Sequence, residues 1–220
     1  MSTQPVLQQR IQPRAVLFDY GNVLCRPQHR AEVEAMAGVL AVPADRFEEA
    51  YWKDRLLFDE GAITPEAYWS GVASALSRTL ANGRRERLIE LDNQSWSHPD
   101  PVMVRWAIDL RAAGVRTAVL SNMPITLRVH LRSCEWLPEF DYSCYSCDVL
   151  SAKPAPEIFR NCLRGVGAAP EEALFLDDRA ENVDAARALG IHAIQFAGPE
   201  QAQCEIEPRY DLPLAIRDPA

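Results

Sequence analysis

No stretch of this chain approaches the roughly 20 consecutive apolar residues that a membrane-spanning helix needs. The opening segment from Met1 to Gln12 lacks the apolar core of a secretory signal, and its Gln and Pro content reads as a loose arm over residues 1–13. The expectation is a cytoplasmic protein with no membrane partner. Positive charge is also in deficit. The formal net charge is −8, whereas binding a phosphate backbone needs a basic face, so nucleic acid is excluded as a general partner. A small phosphorylated ligand is not excluded, because it needs only local positive charge. Metal-like cysteine spacing is nearly missing. Of six cysteines only Cys144 and Cys147 are spaced like metal ligands, and no second pair answers them. They read as reduced, partly buried thiols. The chain shows no internal repeat and no low-complexity segment.

What is present is an ordinary soluble balance, 48% hydrophobic and 25% charged over 220 residues. That length allows one sizeable domain, or a core with a smaller insertion. The run Ala15-Val16-Leu17-Phe18 reads as a buried strand, and Gly21-Asn22 as the turn leaving it. In the second half, strands and helices alternate. Asp100-Pro101 caps a helix over 102–113 that Gly114 ends. A strand follows over 115–120, then a helix over 125–134 and another from Pro156. A strand over 173–176, a helix over 181–189 closed by Gly190, and a strand over 191–196 complete the series. This order predicts right-handed βαβ units in a parallel sheet.

Residues 27–98 hold no clear strand. They read as four helices, over 30–40, 44–58, 65–80 and 84–95, interrupted at Gly61 and Asn82-Gly83. Phe47, Tyr51, Trp52, Phe58, Tyr68, Trp69 and Trp96 fall here. Most of them suit the core of a small bundle, with room for one or two to line a pocket. The predicted architecture is therefore an α/β class fold. A Rossmann-like parallel-sheet core over 1–26 and 99–220 carries an inserted all-helical cap over 27–98. His29 and His98 lie at the two hinges and read as surface residues.

The strand ends carry the chemistry. Asp19 follows the first strand, Ser121-Asn122 the second, and Asp177-Asp178 a later one, while Lys153-Pro154 precedes a helix. Open α/β sheets bind ligands at the carboxyl ends of their strands. An acid at such an end is a nucleophile, a metal ligand or a cap. Lys153, Ser121 and Asn122 supply donors for phosphoryl oxygens, and Asp19, Asp177 and Asp178 supply oxygens suited to a hard cation such as Mg²⁺. A carboxylate nucleophile can split phosphoryl transfer into two steps through an aspartyl-phosphate.

From Val16 to about Phe196 the chain resembles the haloacid dehalogenase superfamily on its phosphatase side. The resemblance rests on Phe18-Asp19-Tyr20-Gly21-Asn22-Val23-Leu24, Leu120-Ser121-Asn122, Lys153-Pro154 followed by Pro156-Glu157-Ile158-Phe159, and Phe175-Leu176-Asp177-Asp178-Arg179-Ala180-Glu181-Asn182. It implies that Asp19 is the nucleophile and a Mg²⁺ ligand, and that Gly21 lends the metal its carbonyl. By the same resemblance Asp178 is the principal ligand of the fourth motif, and Asp177 acts behind it or through water. Ser121 and Asn122 would bind phosphate, Lys153 would steady both nucleophile and phosphate, and Asn182 would hydrogen-bond within the site. The implied partner is a small phosphorylated metabolite, best guessed as a sugar phosphate from the Phe-Asp-X-Gly-Asn-Val sub-branch. The protein would act as a monomer or homodimer.

One position departs from the pattern. Phosphatases of the family place a second Asp two residues after the nucleophile, and Gly21 stands there. General acid–base help is typically worth about 10²–10⁴ in rate. A cap residue or a water would replace it, or the leaving group would need little protonation. Two alternatives follow: a non-catalytic or regulatory protein on this fold, or a 2-haloacid dehalogenase, whose halide leaves without a proton. The acidic pair Asp177-Asp178 weighs against the dehalogenase, because such displacement needs no metal to offset two neighbouring acids.

Overall fold

Ala15, Val16, Leu17 and Phe18 are all fully buried, yet they enter two different cores. Val16 and Phe18 join a cluster with Val119, Leu174, Leu176, Met103 and Trp106. Ala15 and Leu17 join one with Ala118, Leu120, Phe175, Ile158 and Phe159. Successive side chains of a strand point to opposite faces, so a strand that reads as continuously apolar belongs to a sheet covered on both sides.

The structure, a computed structural model, describes residues 10–81 and 83–216. Five strands, β1 (Ala15–Phe18), β2 (Arg116–Ser121), β3 (Tyr142–Tyr145), β4 (Ala173–Asp177) and β5 (His192–Gln195), form one sheet. Their order is β3-β2-β1-β4-β5, and every pairing is parallel. The α/β Rossmann-like prediction therefore holds. The chain winds outward from β1 in both directions, which makes the carboxyl end of β1 the switch point where such sheets bind ligands.

Eleven α-helices occur among the described residues. Five lie between β1 and β2: α1 (Arg30–Leu40), α2 (Ala44–Lys53), α3 (Arg55–Asp59), α4 (Pro65–Ala75) and α5 (Arg84–Ser95). They share their own core of Met36, Phe47, Tyr51, Phe58, Tyr68, Trp69 and Leu88. The helix expected over 44–58 is broken at Asp54, and the one expected over 65–80 stops at Ala75. Gly83, with φ +83°, precedes α5, while Asn82 of the expected break lies outside the described residues.

The remaining helices are α6 (Pro101–Ala112), α7 (Ile125–Leu131), α8 (Ser146–Val149), α9 (Pro156–Val166), α10 (Ala180–Ala188) and α11 (Pro199–Ile206). The polar strand β3 is held by α9. Tyr142 donates to Asn161 Oδ1 at 2.9 Å, and a Cβ at Gly165 would stand 2.3 Å from the Tyr142 ring, so only glycine permits that approach. Of the expected loose arm, residues 1–9 lie outside the described residues. From Ile11 onward the arm is tied down: Ile11 N–H donates to Arg209 O at 2.8 Å, and Asp211 N–H donates to Ile11 O at 2.8 Å. The tail packs as well, burying Ala202, Ile206 and Tyr210 against the first core. Among the described residues no helix is long and apolar enough to cross a membrane.

The tail is thus structural. Ile206→Ala is expected to lower unfolding free energy by roughly 2–5 kcal/mol, the cost of a large-to-small change in a packed core. Urea denaturation measures it; a loss below about 1 kcal/mol would show the tail to be a dispensable appendage.

Candidate active site

The sheet register sets Asp19, Ser121 and Asp177 at the same end of three adjacent strands. Phe18 pairs with Val119 on one side and Leu176 on the other, and Asp19 N–H still donates to Leu176 O at 2.9 Å. Asp19 Oδ1 accepts from Tyr20 N–H at 2.7 Å and lies 2.8 Å from Lys153 Nζ. Its Oδ2 has no hydrogen bond among the described residues. Asp177 is saturated. Its Oδ1 accepts from Arg179 N–H at 2.9 Å and Asn182 Nδ2 at 3.0 Å, and its Oδ2 from Lys153 Nζ at 2.6 Å and Asn182 Nδ2 at 3.1 Å. Asp178 Oδ2 accepts from Asn22 Nδ2 at 2.8 Å, leaving Oδ1 open.

Asp19, Asp177 and Asp178 each bring an oxygen within 4.8 Å of the others. The electrostatics follow from that crowding. Burial pushes Asp19 up to about 7, against the pull of Lys153 and with a further push from Asp177 and Asp178. Asp178 is likewise raised, first by burial and then by Asp177, with the Asn22 amide acting against both. Burial works against the Lys153 charge, but the two carboxylates outweigh it and its pKa rises. Asn22 Oδ1 is sealed from solvent and unpaired. The cluster of three carboxylates, with Asp178 Oδ1 unpaired, is a hard-oxygen set that fits a small divalent cation.

The phosphate-side residues divide. Ser121, the last residue of β2, is buried, and its Oγ makes only a long 3.5 Å contact to Asn122 O. Asn122 does something different from the expected direct contact. Its Nδ2 donates to Lys153 O at 2.9 Å, and its Oδ1 accepts from Lys153 N–H at 2.8 Å. Its side chain clamps the loop that carries Lys153. Asn182 spends its amide on Asp177.

A cavity of about 610 Å³ opens over these groups, lined among others by Asp19, Gly21, Lys153, Trp52, Arg55, Asp59 and Trp96. The aromatics sort accordingly. Phe47, Tyr51, Phe58, Tyr68 and Trp69 are core, whereas Trp52 is 47% exposed and reaches the cavity with Trp96. The Trp96 ring borders the place of the missing acid: a Cβ on Gly21 would stand 3.4 Å from it, in ordinary van der Waals contact. His29 and His98 do not line the cavity; His98 Nε2 lies 2.5 Å from Glu32 Oε1. Cys144 and Cys147 are free thiols.

Sequence reasoning passed over Asn22, Arg55 and Asp59. Asn22, at φ +60°, carries only a turn signal. Arg55 and Asp59 are spaced i,i+4, which reads as a solvated helix pair. In the structure Asp59 is 8% and Arg55 5% exposed. Arg55 Nε donates to Asp59 Oδ1 at 2.7 Å. Its Nη1 donates to both Asp92 oxygens at 3.2 Å and to the Tyr51 hydroxyl.

The family haloacid dehalogenase-like hydrolase matches residues 13–190. The chain belongs to it. This haloacid dehalogenase-like hydrolase is 32% identical over 219 residues to acyl-CoA dehydrogenase family member 10 of Mus musculus, a match covering 94% of the chain but only 20% of that protein. It is 26% identical over 185 residues to phosphatase MT3486 of Mycobacterium tuberculosis, covering 81% of the chain and 85% of that protein. Among solved structures, the HAD family enzyme bt-2542 of Bacteroides thetaiotaomicron, in complex with magnesium and inorganic phosphate, gives a TM-score of 0.67 at 22% identity. That match covers 84% of this chain and 93% of the other. An L-2-haloacid dehalogenase from Xanthobacter autotrophicus shares the fold too.

Burial pushes Asp59 from an ordinary 3.8 to about 6, outweighing the Arg55 guanidinium. The folded state then holds this proton where the unfolded chain has lost it. The resulting stabilisation is full below about pH 4 and is lost as pH rises through about 6. The stability difference between the parent and Asp59→Asn, measured with chelator, is expected to shrink by about 3 kcal/mol across that window. A flat difference from pH 4 to 8 would show that Asp59 does not titrate abnormally.

Proposed function

We propose that this hydrolase is a Mg²⁺-dependent phosphomonoester hydrolase, acting through an aspartyl-phosphate on Asp19. Its substrate is a small phosphorylated metabolite, with a sugar phosphate as the best candidate. The observation that carries this reading is the asymmetry of Asp19: Oδ1 is tied to Tyr20 N–H and Lys153, while Oδ2 has no partner and the residue lines the cavity. Asp19, the Gly21 carbonyl and Asp178 would hold the ion, with Asp177 fixing the geometry from behind through Lys153 and Asn182. The bound ion would offset the repulsion between the carboxylates and an anionic phosphate. Helices over 27–98 would form a cap on the core made by 1–26 and 99–220.

The chain's own groups supply the rest. A lysine ammonium carries three protons; two of Lys153's serve Asp19 and Asp177, and the third can meet a phosphoryl oxygen. Ser121 Oγ can donate another hydrogen bond, and Asn122 holds the Lys153 loop in register. Asp19 Oδ2 attacks phosphorus and the P–O ester bond breaks, its electron pair going to the leaving oxygen, which takes a proton from water. A water then attacks the phosphorus of the acyl phosphate, releasing inorganic phosphate and restoring the carboxylate. The dehalogenase alternative leaves three clustered acids with Lys153 as their one cationic partner among the described residues, and the metal-dependent reading resolves that repulsion. The phosphatase relative, matched along most of both chains, is consistent with it.

Phosphate release from an aryl phosphate and a sugar-phosphate panel is expected to require both Mg²⁺ and Asp19. Chelator or Asp19→Asn should each reduce it at least about 10³-fold. Chloride release from a 2-chloroacid without Mg²⁺, and no phosphate release, would contradict the reading. Gly21→Asp, whose Cβ would rest in ordinary contact with the Trp96 ring, is expected to raise turnover of alkyl phosphates toward the roughly 10²–10⁴ gain of a general acid. No gain on alkyl phosphates, with aryl-phosphate turnover retained, would show that the acid absent at position 21 is not what limits the reaction.

A further inference from the structure

Helices α2, α3 and α5 bury an ion cluster of Tyr51, Arg55, Asp59 and Asp92 beside an apolar core. Buried ion pairs are weak sources of stability, so the cluster's arrangement is informative. One end is closed: Asp92 is 1% exposed, accepts from both Arg55 Nη1 and the Tyr51 hydroxyl, and does not reach the cavity. The other end is open. Among the described residues, Arg55 Nη2 and Asp59 Oδ2 make no hydrogen bond. Neither is sealed away, since the sealed unpaired side-chain atoms are Asn22 Oδ1, Trp69 Nε1, Asn93 Oδ1 and Thr126 Oγ1. Both residues line the cavity that Asp19 and Lys153 line. Beside them stand Trp52 and Trp96, with ring centroids 6.4 Å apart and planes at 84°.

We infer that Arg55 Nη2 and Asp59 Oδ2 form a subsite for two neighbouring hydroxyls on the body of the substrate, so that the enzyme selects polyhydroxylated, ring-sized phosphate esters. The inference rests on the phosphatase reading for the phosphate end and on the cavity wall for the rest. A carboxylate oxygen only accepts and a guanidinium only donates. A vicinal diol meets both: one hydroxyl donates to Asp59, and the oxygen of its neighbour accepts from Arg55. The two indoles offer apolar faces to the C–H surface of such a ring. A ring without hydroxyls would leave Arg55 Nη2 and Asp59 Oδ2 desolvated without a partner, and a site built to pair with hydroxyls discriminates against analogues lacking them.

The test is calorimetric binding of two non-hydrolysable phosphonates, one of a hexose and one of cyclohexane, to the parent protein with Mg²⁺. The hexose compound is expected to bind on the order of ten- to a hundredfold more tightly. This comparison leaves the protein unaltered, so it stands even where a variant fails to fold. In Asp59→Asn, shown folded by thermal denaturation, the preference should fall to within about threefold. Equal affinity in the parent protein, or an undiminished preference in folded Asp59→Asn, would overturn the subsite. An aryl-phosphate assay run alongside separates the two readings. Asp19-dependent turnover without hydroxyl preference removes the subsite alone. Hydroxyl preference without turnover of any ester keeps the subsite and removes the phosphatase reading.

Discussion

The Lys153 ammonium, 2.8 Å from Asp19 and 2.6 Å from Asp177, joins the ends of two adjacent parallel strands by charge. Three carboxylates packed within 4.8 Å of one another would otherwise drive those strand ends apart or take up protons. Much of the local architecture serves to hold that one cation. Asn122 grips both backbone groups of Lys153. Asp177 is oriented by Asn182 and the Arg179 amide, so that one oxygen meets the ammonium. The Phe175 ring lies 5.4 Å from it on one side. After this bonding Asp19 Oδ2 and Asp178 Oδ1 are left without a hydrogen bond among the described residues, and both residues line the cavity.

The helices between β1 and β2 repeat that logic with a second cation. A buried guanidinium, Arg55, is held between Asp59 and Asp92, and Arg55 lines the same cavity. The insertion is fastened to the core near this point. Ser146 at the start of α8 accepts from Met123 N–H at 3.0 Å and donates to Asp59 O at 2.5 Å. The backbone that carries Asp59 is therefore fixed relative to the end of β2, and a charge on the insertion has a defined position over the sheet.

Legibility in the sequence followed the physics of each part. The inner strands were readable because a sheet covered on both faces demands continuous apolar runs, and their polar punctuation at Asp19, Ser121 and Asp177 stood out against them. Strand β3, Tyr-Ser-Cys-Tyr, lacks that apolar signal, since an edge strand held by Asn161 and Gly165 needs no such run. The break at Asp54 was invisible to helical periodicity, which continues on either side of it. Trp52 and Trp96 could not be told from core aromatics, because exposure is a tertiary property. The burial of Arg55 and Asp59 is a tertiary property too. Gly21 was readable as an absence, but the Trp96 ring that borders it is a tertiary contact with no sequence signal.

The central claim is that Asp19 Oδ2 is a nucleophile. Borohydride added during turnover reduces an aspartyl-phosphate to homoserine, and peptide mass spectrometry locates it. The account predicts homoserine at position 19 alone, dependent on substrate and Mg²⁺. Sustained phosphate release with an unmodified Asp19, or with the modification at Asp177 or Asp178 instead, would contradict it.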